Sequence, residues 1–272
     1  ELIARILIDL REIASRQFDV PVTSAVVRRP VRFVGAESEE DNQFAEERLT
    51  KAFHQAGFES VTFEFEPVAA AHYYESTLDH DELIMIGDFG GGTSDFSLVR
   101  VGPSILRRGR QPSDLIGNAG VGIAGDAFDA KIVRHLVSPE LGSHSSIRSG
   151  TKLLPVPSWV YAKLERWHHL SFLKARDVLN LLASVQAQAL EPERIESLIE
   201  LVNEDLGYHL HRAVQRTKCQ LSDQDRAKFE FSERGIRLRG TVKRADFERW
   251  ISSELEQIAE CVDSLLLQSG VD

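Results

Sequence analysis

Cysteine, methionine, positive charge and long apolar runs are what these 272 residues have least of. The two cysteines, Cys219 and Cys261, stand far apart with no metal-ligand spacing around them, so a reduced, cytoplasmic setting is expected. No apolar run approaches the length of a membrane span and no signal peptide opens the chain, so no membrane partner is expected. Lys plus Arg is 32 against 42 for Asp plus Glu, a net charge of −10, which argues against the basic face that nucleic acid requires. No G-x-x-x-x-G-K-[ST] occurs, and this excludes a P-loop. His168 with His169 and His209 with His211 lack the i, i+4 spacing of a helical metal pair, and no Ser-His-Asp or Cys-His set has local support. What remains, 42% hydrophobic and 27% charged residues, is an ordinary globular composition of one large or two medium domains.

The chain opens on an amphipathic helix, with Leu2, Ile3, Ile6, Leu7, Leu10 and Ile13 on one face and no initiating Met, as in a segment cut from something longer. Val22–Val27 reads as a buried strand closed by Pro30. Asp41 to Ala56 is helical by period, stopped by Gly57. Val61, Phe63 and Phe65 alternate as in a half-buried strand, and Pro67 suits the first turn of another helix. Beyond residue 102, a strand is expected within Ile105–Ile116, a helix to about Val137 and an exposed loop over Gly142–Gly150. One long amphipathic run is expected over Pro192–Leu221, then a hairpin about Gly235 and a last helix over Arg244–Gln268. Strands and helices mix in both halves, so the expected class is α/β.

The centre of this pattern is Ile84–Phe96, I-M-I-G-D-F-G-G-G-T-S-D-F. Two apolar runs, Leu83–Ile86 and Phe96–Val101, flank Gly90, Gly91 and Gly92, which places the glycines at a hairpin tip. Three residues without Cβ permit positive φ and let backbone N–H groups converge into a nest for an anion, phosphate above all. Asp88 would hold Mg²⁺ beside that phosphate, directly or through water. Gly120, Gly122 and Gly125 fit G-x-G-x-x-G before a helix. Ser113, Asp114 and Asn118, however, stand where a dinucleotide fold needs a buried apolar strand, so a second phosphate-contacting loop is the stronger reading. Glu66 ends the strand before Pro67. It either orients an attacking water or simply places negative charge at a helix N-terminus.

I-G-D-F-G-G-G-T-S-D-F resembles the second phosphate motif of DnaK-type chaperones, the heat shock protein 70 family, and the match extends further along the chain. F-E-P-V-A-A-A (Phe65–Ala71) is similar to that family's N-E-P-T-A-A-A, and V-V-R-R-P (Val26–Pro30) to its switch segment. I-A-G-D-A-F-D (Ile123–Asp129) is similar to its L-G-G-E-D-F-D, and Arg216–Ser222 stands where it has its adenosine-contacting helix. R-R-P-V-R-F resembles the divergent YegD-like branch.

The resemblance implies an actin-like ATPase (ribonuclease H-like) fold, incomplete, with the end of the first lobe and most of the second. The implied division is residues 1–78 for the partial first lobe and 79–137 for the second-lobe core with the phosphate hairpin. A helical upper subdomain with its terminal hairpin would cover 138–240 and a return helix 241–272. The implied ligands are ATP or ADP with Mg²⁺. Asp88 would be the metal-side carboxylate, Gly90, Gly91, Gly92 and Thr93 the phosphate loop, and Gly125 and Asp126 the second loop. Glu66 would assist hydrolysis, Lys218 and Ser222 would contact adenosine, and Pro30 would be the switch. Gln215 and Ala124 depart from the family's Glu and Gly. The family's first phosphate loop (D-x-G-T) and second adenosine loop (G-G-[ST]-x-R) have no counterpart in these residues, so the chain alone is expected to be inactive.

The implied function is the ATP-binding region of a stress-response chaperone, with ATP hydrolysis by the full-length protein. Client peptides and co-chaperones would be met through domains outside these residues. The alternatives are an actin-like nucleotide-binding scaffold without turnover and, more distantly, a Rossmann-type NAD-dependent oxidoreductase.

Overall fold

The computed structural model describes residues 1–30, 33 and 38–271, with the side chains of 39, 65–69, 112, 167 and 168 excepted. Two compact units emerge: residues 1–88, 95–119 and 264–272 form one, and 89–94 with 120–263 form the other.

In the first unit, helix α1 (Leu2–Phe18) precedes β1 (Ser24–Arg29), α2 (Glu39–Gln55), β2 (Ser60–Phe65) and α3 (Glu66–Glu75). β1 and β2 pair in parallel from Ser24↔Ser60 to Arg29↔Phe65. Helix α2 begins at a capping box, in which the Ser38 hydroxyl accepts from the Asp41 amide and the Asp41 carboxylate accepts from the Ser38 amide. It ends before Gly57, whose φ of +89° is the left-handed geometry that stops a helix. Phe53, Ala56 and Phe58 form the core here, with Leu7 and Ile8 of α1 against them. The rest of the expected α1 stripe faces water: Leu2, Ile3, Ile6, Leu10 and Ile13 are all more than half exposed.

Strands β3 (Glu82–Phe89), β4 (Ser94–Val101) and β5 (Leu115–Val121) make a three-stranded sheet in the order β3-β4-β5. The central strand is the buried one, with Phe96, Leu98, Val99 and Val101 all inside. β3 was expected to be buried throughout but alternates: Ile84 and Ile86 pack on the core, while Leu83 and Met85 are exposed. An edge strand with one covered face has this period of two. Glu75, at the end of α3, is fully buried, and its charge is met by the Arg110 guanidinium at 2.6 Å and the Gly102 amide at 2.9 Å. The expected strand within 105–116 is displaced. Pro103 at the first helical position starts a short α4 (Pro103–Arg108), and the strand begins only at Leu115.

The second unit holds α5 (Gly125–Ile132), a π-turn over Val133–Val137, α6 (Ser138–Glu140), β6 (Ser146–Ser149), β7 (Lys152–Pro155) and α7 (Ser158–Leu164). A 3₁₀ stretch, Trp167–Lys174, leads to α8 (Arg176–Gln188), α9 (Pro192–Asn203), α10 (Gly207–Asp223), β8 (Arg226–Glu233), β9 (Ile236–Lys243), α11 (Arg244–Trp250) and α12 (Ser252–Ser269). One continuous core joins them, including Ile132, Leu164, Leu182, Leu198, Leu210 and Phe229. β8 and β9 pair antiparallel about Arg234-Gly235, both at positive φ, the two-residue turn that matches strand twist.

Three expectations are corrected here. The loop over 142–150 is partly the first strand of a hairpin: β6, polar but for Ile147, pairs antiparallel with the exposed β7. The single run from Pro192 is two helices. After α9, Asp205 takes φ +56° while the Leu206 amide reaches back to Leu201 O and the Asp205 amide to Val202 O, a Schellman stop made without glycine. The apolar residues stay in phase across the break, so periodicity alone cannot reveal it. The last helix is likewise broken at Ile251, and Leu255, assigned to its buried face, is largely exposed. His211 is buried, with Nε2 3.1 Å from Leu164 O: a satisfied core histidine.

Candidate functional site

The tip of the β3–β4 hairpin, Gly90–Thr93, is held by its own turn and by a neighbour far along the chain. The Gly90 amide donates to Thr93 O at 2.9 Å and closes the tip. The first two amides of α5 then donate outward: Gly125 N–H to Gly90 O at 3.2 Å and Asp126 N–H to Gly91 O at 2.7 Å. Ser94 adds a third tie through its hydroxyl to Ile123 O at 2.7 Å. Helix N-terminal amides lack intrahelical acceptors, and here two of them are used to brace the hairpin.

One sequence expectation changes and one holds. None of Gly90, Gly91 and Gly92 has a positive φ, so left-handed backbone is not what they supply, and only Gly91 is closely approached. A Cβ on Gly91 would sit 3.3 Å from Asp126 Oδ1, and one on Gly125 would sit 3.3 Å from Gly90 O and 3.2 Å from Lys218 Nζ. At Gly92 a Cβ would meet nothing within 4 Å, so the tip is open on that side. The G-x-G-x-x-G segment begins inside β5, Leu115–Val121, in which no residue is fully buried, so the buried apolar strand that a dinucleotide fold needs does not precede it. The Gly125 amide is spent on Gly90 rather than offered to a pyrophosphate.

Lys218, ninety-three residues beyond Gly125, completes the cluster. Its ammonium donates to Gly125 O at 3.0 Å and lies 2.8 Å from Asp129 Oδ1, close enough for an ion pair but not aligned as a hydrogen bond. Asp129 is almost fully buried. Burial pushes its carboxyl pKa up, and the neighbouring Lys218 works in the opposite direction. Lys218 and Ser222 also line a pocket of about 440 Å³ with Phe128, Cys219, Phe247 and Ile251. Arg244, at its edge, donates to Leu221 O and Ser222 O at 2.8 and 3.2 Å and fixes the end of α10.

The structure therefore brings together Gly90, Gly91, Gly125, Asp126 and Lys218, with Ser222 on the adjoining pocket. Asp88 ends β3 as an exposed side chain, and Thr93 is half-buried beside the tip. Glu66 opens α3, but its side chain lies outside the described residues. Pro30 follows β1, and Arg29 Nε donates to its carbonyl while pairing with Glu46. Asp129 is the member that sequence reasoning overlooked: its partner is 89 positions away, and no local spacing links the two. Among the described residues no three His, Cys, Asp or Glu side chains converge to hold a metal. A Mg²⁺ ion at Asp88 would take most of its ligands from phosphate and water, as that ion commonly does.

The model of the family described as Hsp70 protein matches residues 1–150. The chain belongs to the Hsp70 family. It is 31% identical over 134 residues to the chaperone protein dnaK of Cyanophora paradoxa, covering 49% of this chain and 19% of that protein. It is 31% identical over 139 residues to the DnaK chaperone of Prochlorococcus marinus, covering 51% and 20% respectively. Over 139 residues it is 30% identical to the dnaK chaperone of Emiliania huxleyi, again covering 51% and 20%. The aligned stretch thus spans about a fifth of these relatives' length. Hsp70 membership implies the actin-like ATPase fold, and the mixed α/β architecture is consistent with it. Among the described residues no helix is long and apolar enough to cross a membrane.

Proposed function

We propose that this chain is the nucleotide-binding part of an Hsp70-type chaperone, taking ATP or ADP with Mg²⁺ at the hairpin and the adjoining pocket. The carrying observation is the continuous connection from Gly90 and Gly91, through the α5 amides and Lys218, to a half-apolar pocket beside Ser222. A nucleotide is a chain of phosphates joined to a flat apolar ring, and such a surface offers each end its partner. In this reading Gly91, Gly92 and Thr93 present backbone to the phosphates, Lys218 and Ser222 meet the nucleoside, and Asp88 faces the metal. Mg²⁺ when bound neutralises phosphate charge. Glu66 orients the attacking water and Pro30 reports the nucleotide state. The lobes are those drawn from the resemblance, ending at 78, 137, 240 and 272.

Turnover, clients and co-chaperones belong to the whole protein in this proposal. The chain alone offers one phosphate loop, and hydrolysis needs the terminal phosphoryl held from both sides. Calorimetry of the 272-residue chain with Mg-ADP, Mg-ATP and NAD tests the proposal. Binding of the adenine nucleotides with Mg²⁺, in preference to NAD, is the expected result, and failure of both ADP and ATP to bind overturns it. A second reading, a nucleotide-binding scaffold without turnover, draws on Gln215, an exposed amide in place of the family's carboxylate. Steady-state ATPase of a full-length DnaK-type relative, with and without Gln in place of the Glu that matches Gln215, separates the two: loss of turnover favours the scaffold, and retained turnover favours the chaperone ATPase.

A further inference from the structure

Helix α5 has two working faces. Gly125 and Asp129, one turn apart, meet Lys218; Asp126 and Ala130, at the same spacing, line another cleft together with Arg134 of the following π-turn. That cleft has a volume of about 280 Å³. Its wall includes Gly92 at the hairpin tip, Asp126, Lys131, Arg134, Glu165 and Arg166. Glu165 and Arg166 follow α7, beyond residue 150 where the family match ends. The segment outside the match therefore supplies the far wall of a cleft that reaches the phosphate hairpin.

The charges in that wall are not equivalent. Lys131 is paired with Glu254 at 2.8 Å. Arg134 and Glu165 form a two-bond fork, Nε to Oε1 at 2.8 Å and Nη2 to Oε2 at 2.7 Å. Those four groups neutralise one another and make rigid walls. Arg166 is the remaining cation, and no acceptor for its guanidinium is seen among the described residues. Gly92, on the hairpin side, is open. A guanidinium and an unobstructed backbone tip that line one cleft are suited to a tetrahedral oxyanion.

We infer that this cleft is a phosphate subsite in which Arg166 binds either inorganic phosphate or the terminal phosphoryl group of a nucleotide seated at the hairpin. The inference rests on the nucleotide reading above but concerns a different face of α5 and a residue outside the family match. Asp126, on the same wall, disfavours a bare anion, so the bound phosphate carries Mg²⁺ with it.

The test is calorimetric titration of the 272-residue chain with sodium phosphate at constant ionic strength, with Mg²⁺ present, beside a parallel titration with Mg-ADP. Arg166→Ala should weaken phosphate binding at least tenfold, and Arg166→Lys should restore part of it. Arg148→Ala, which removes the same charge from exposed β6, should stay within twofold of the parent chain. Repeating the phosphate titration after saturation with a non-hydrolysable Mg-ATP analogue, and again with Mg-ADP, identifies the source. Blockage by the triphosphate alone assigns the cleft to the terminal phosphoryl group, and blockage by neither assigns it to free phosphate. Equal phosphate affinity in Arg166→Ala and Arg148→Ala overturns the inference, as does absence of phosphate binding to the parent chain. If Mg-ADP still binds in either case, the nucleotide reading stands; if neither adenine nucleotide binds, that reading fails on its own.

Discussion

The two units divide the work of recognition and of packing unequally. The first holds most of the residues that the family model matches, and its described residues pack into small clusters such as Phe53–Ala56–Phe58 and Ala71–Val99–Val101. The second contains most of the residues beyond the match and a large core running from Ile132 to Ile251. The phosphate-loop residues 90–94 and 120–126 themselves fall in the second unit, so what the first contributes to the match is chiefly its strand and helix pattern. Helices that carry no motif are free to be apolar on one face, and α8 and α9 use that freedom. A family signature and a hydrophobic core are separate properties of a chain.

The largest effect expected from this contrast is in the second core. Phe229→Ala, at a fully buried ring, should cost about 3–5 kcal/mol in unfolding free energy, read from urea denaturation. A loss below 1 kcal/mol would mean that the core is not consolidated.

Next comes the charge at the centre of the site. Lys218→Ala leaves the buried Asp129 carboxylate without its counter-ion and should cost about 1–3 kcal/mol at neutral pH. The raised pKa of Asp129 gives the pH dependence its sign. The folded state holds the proton more tightly than the unfolded chain, so this group's contribution to stability is full below the ordinary aspartate pKa and falls as pH rises through the raised value. Removing Lys218 raises that value further and moves the loss to higher pH, while Asp129→Asn in the same background should flatten the profile. A Lys218→Ala profile parallel to that of the parent chain would show that the pair is not coupled.

A substitution at the hairpin separates fold from ligand. Gly92→Ala meets no neighbour and should leave stability unchanged while weakening Mg-ADP about tenfold, by obstructing close backbone approach to phosphate. Gly125→Ala instead presses on Gly90 O and should shift the hairpin itself, seen as changed amide resonances for Gly90 and Gly91 without ligand. Unaltered Mg-ADP affinity in Gly92→Ala would place the phosphates elsewhere.

The smallest effect belongs to the first unit. Ile6→Ala, on the exposed stripe of α1, should change stability by no more than about 0.5 kcal/mol in the same urea assay. A loss of several times that would mean the stripe is covered in solution.

Much of this was legible from local chemistry. The apolar period over 41–56 announced a helix, Gly57 its stop, Gly235 a hairpin turn, and the alternation in β2 and β8 a strand, because each depends on a few nearby residues. The three glycines after Asp88 marked the hairpin for the same reason. The breaks at Asp205 and Ile251 were not legible, since each piece keeps its apolar face toward the same core. Nor was the exposure of the α1 stripe: periodicity says which residues share a face, not whether anything covers it.

The sequence by itself determined the order of strand and helix up to residue 101, the hairpin and the membership of the Hsp70 family, all properties of short-range pattern. Only the tertiary structure decided that the α5 amides are spent on Gly90 and Gly91, that Lys218 meets both Gly125 and Asp129, and that Arg166 and Gly92 line one cleft. Those contacts join residues 35 to 93 positions apart. Their geometry is set by how the chain packs on the second core, which no local spacing encodes.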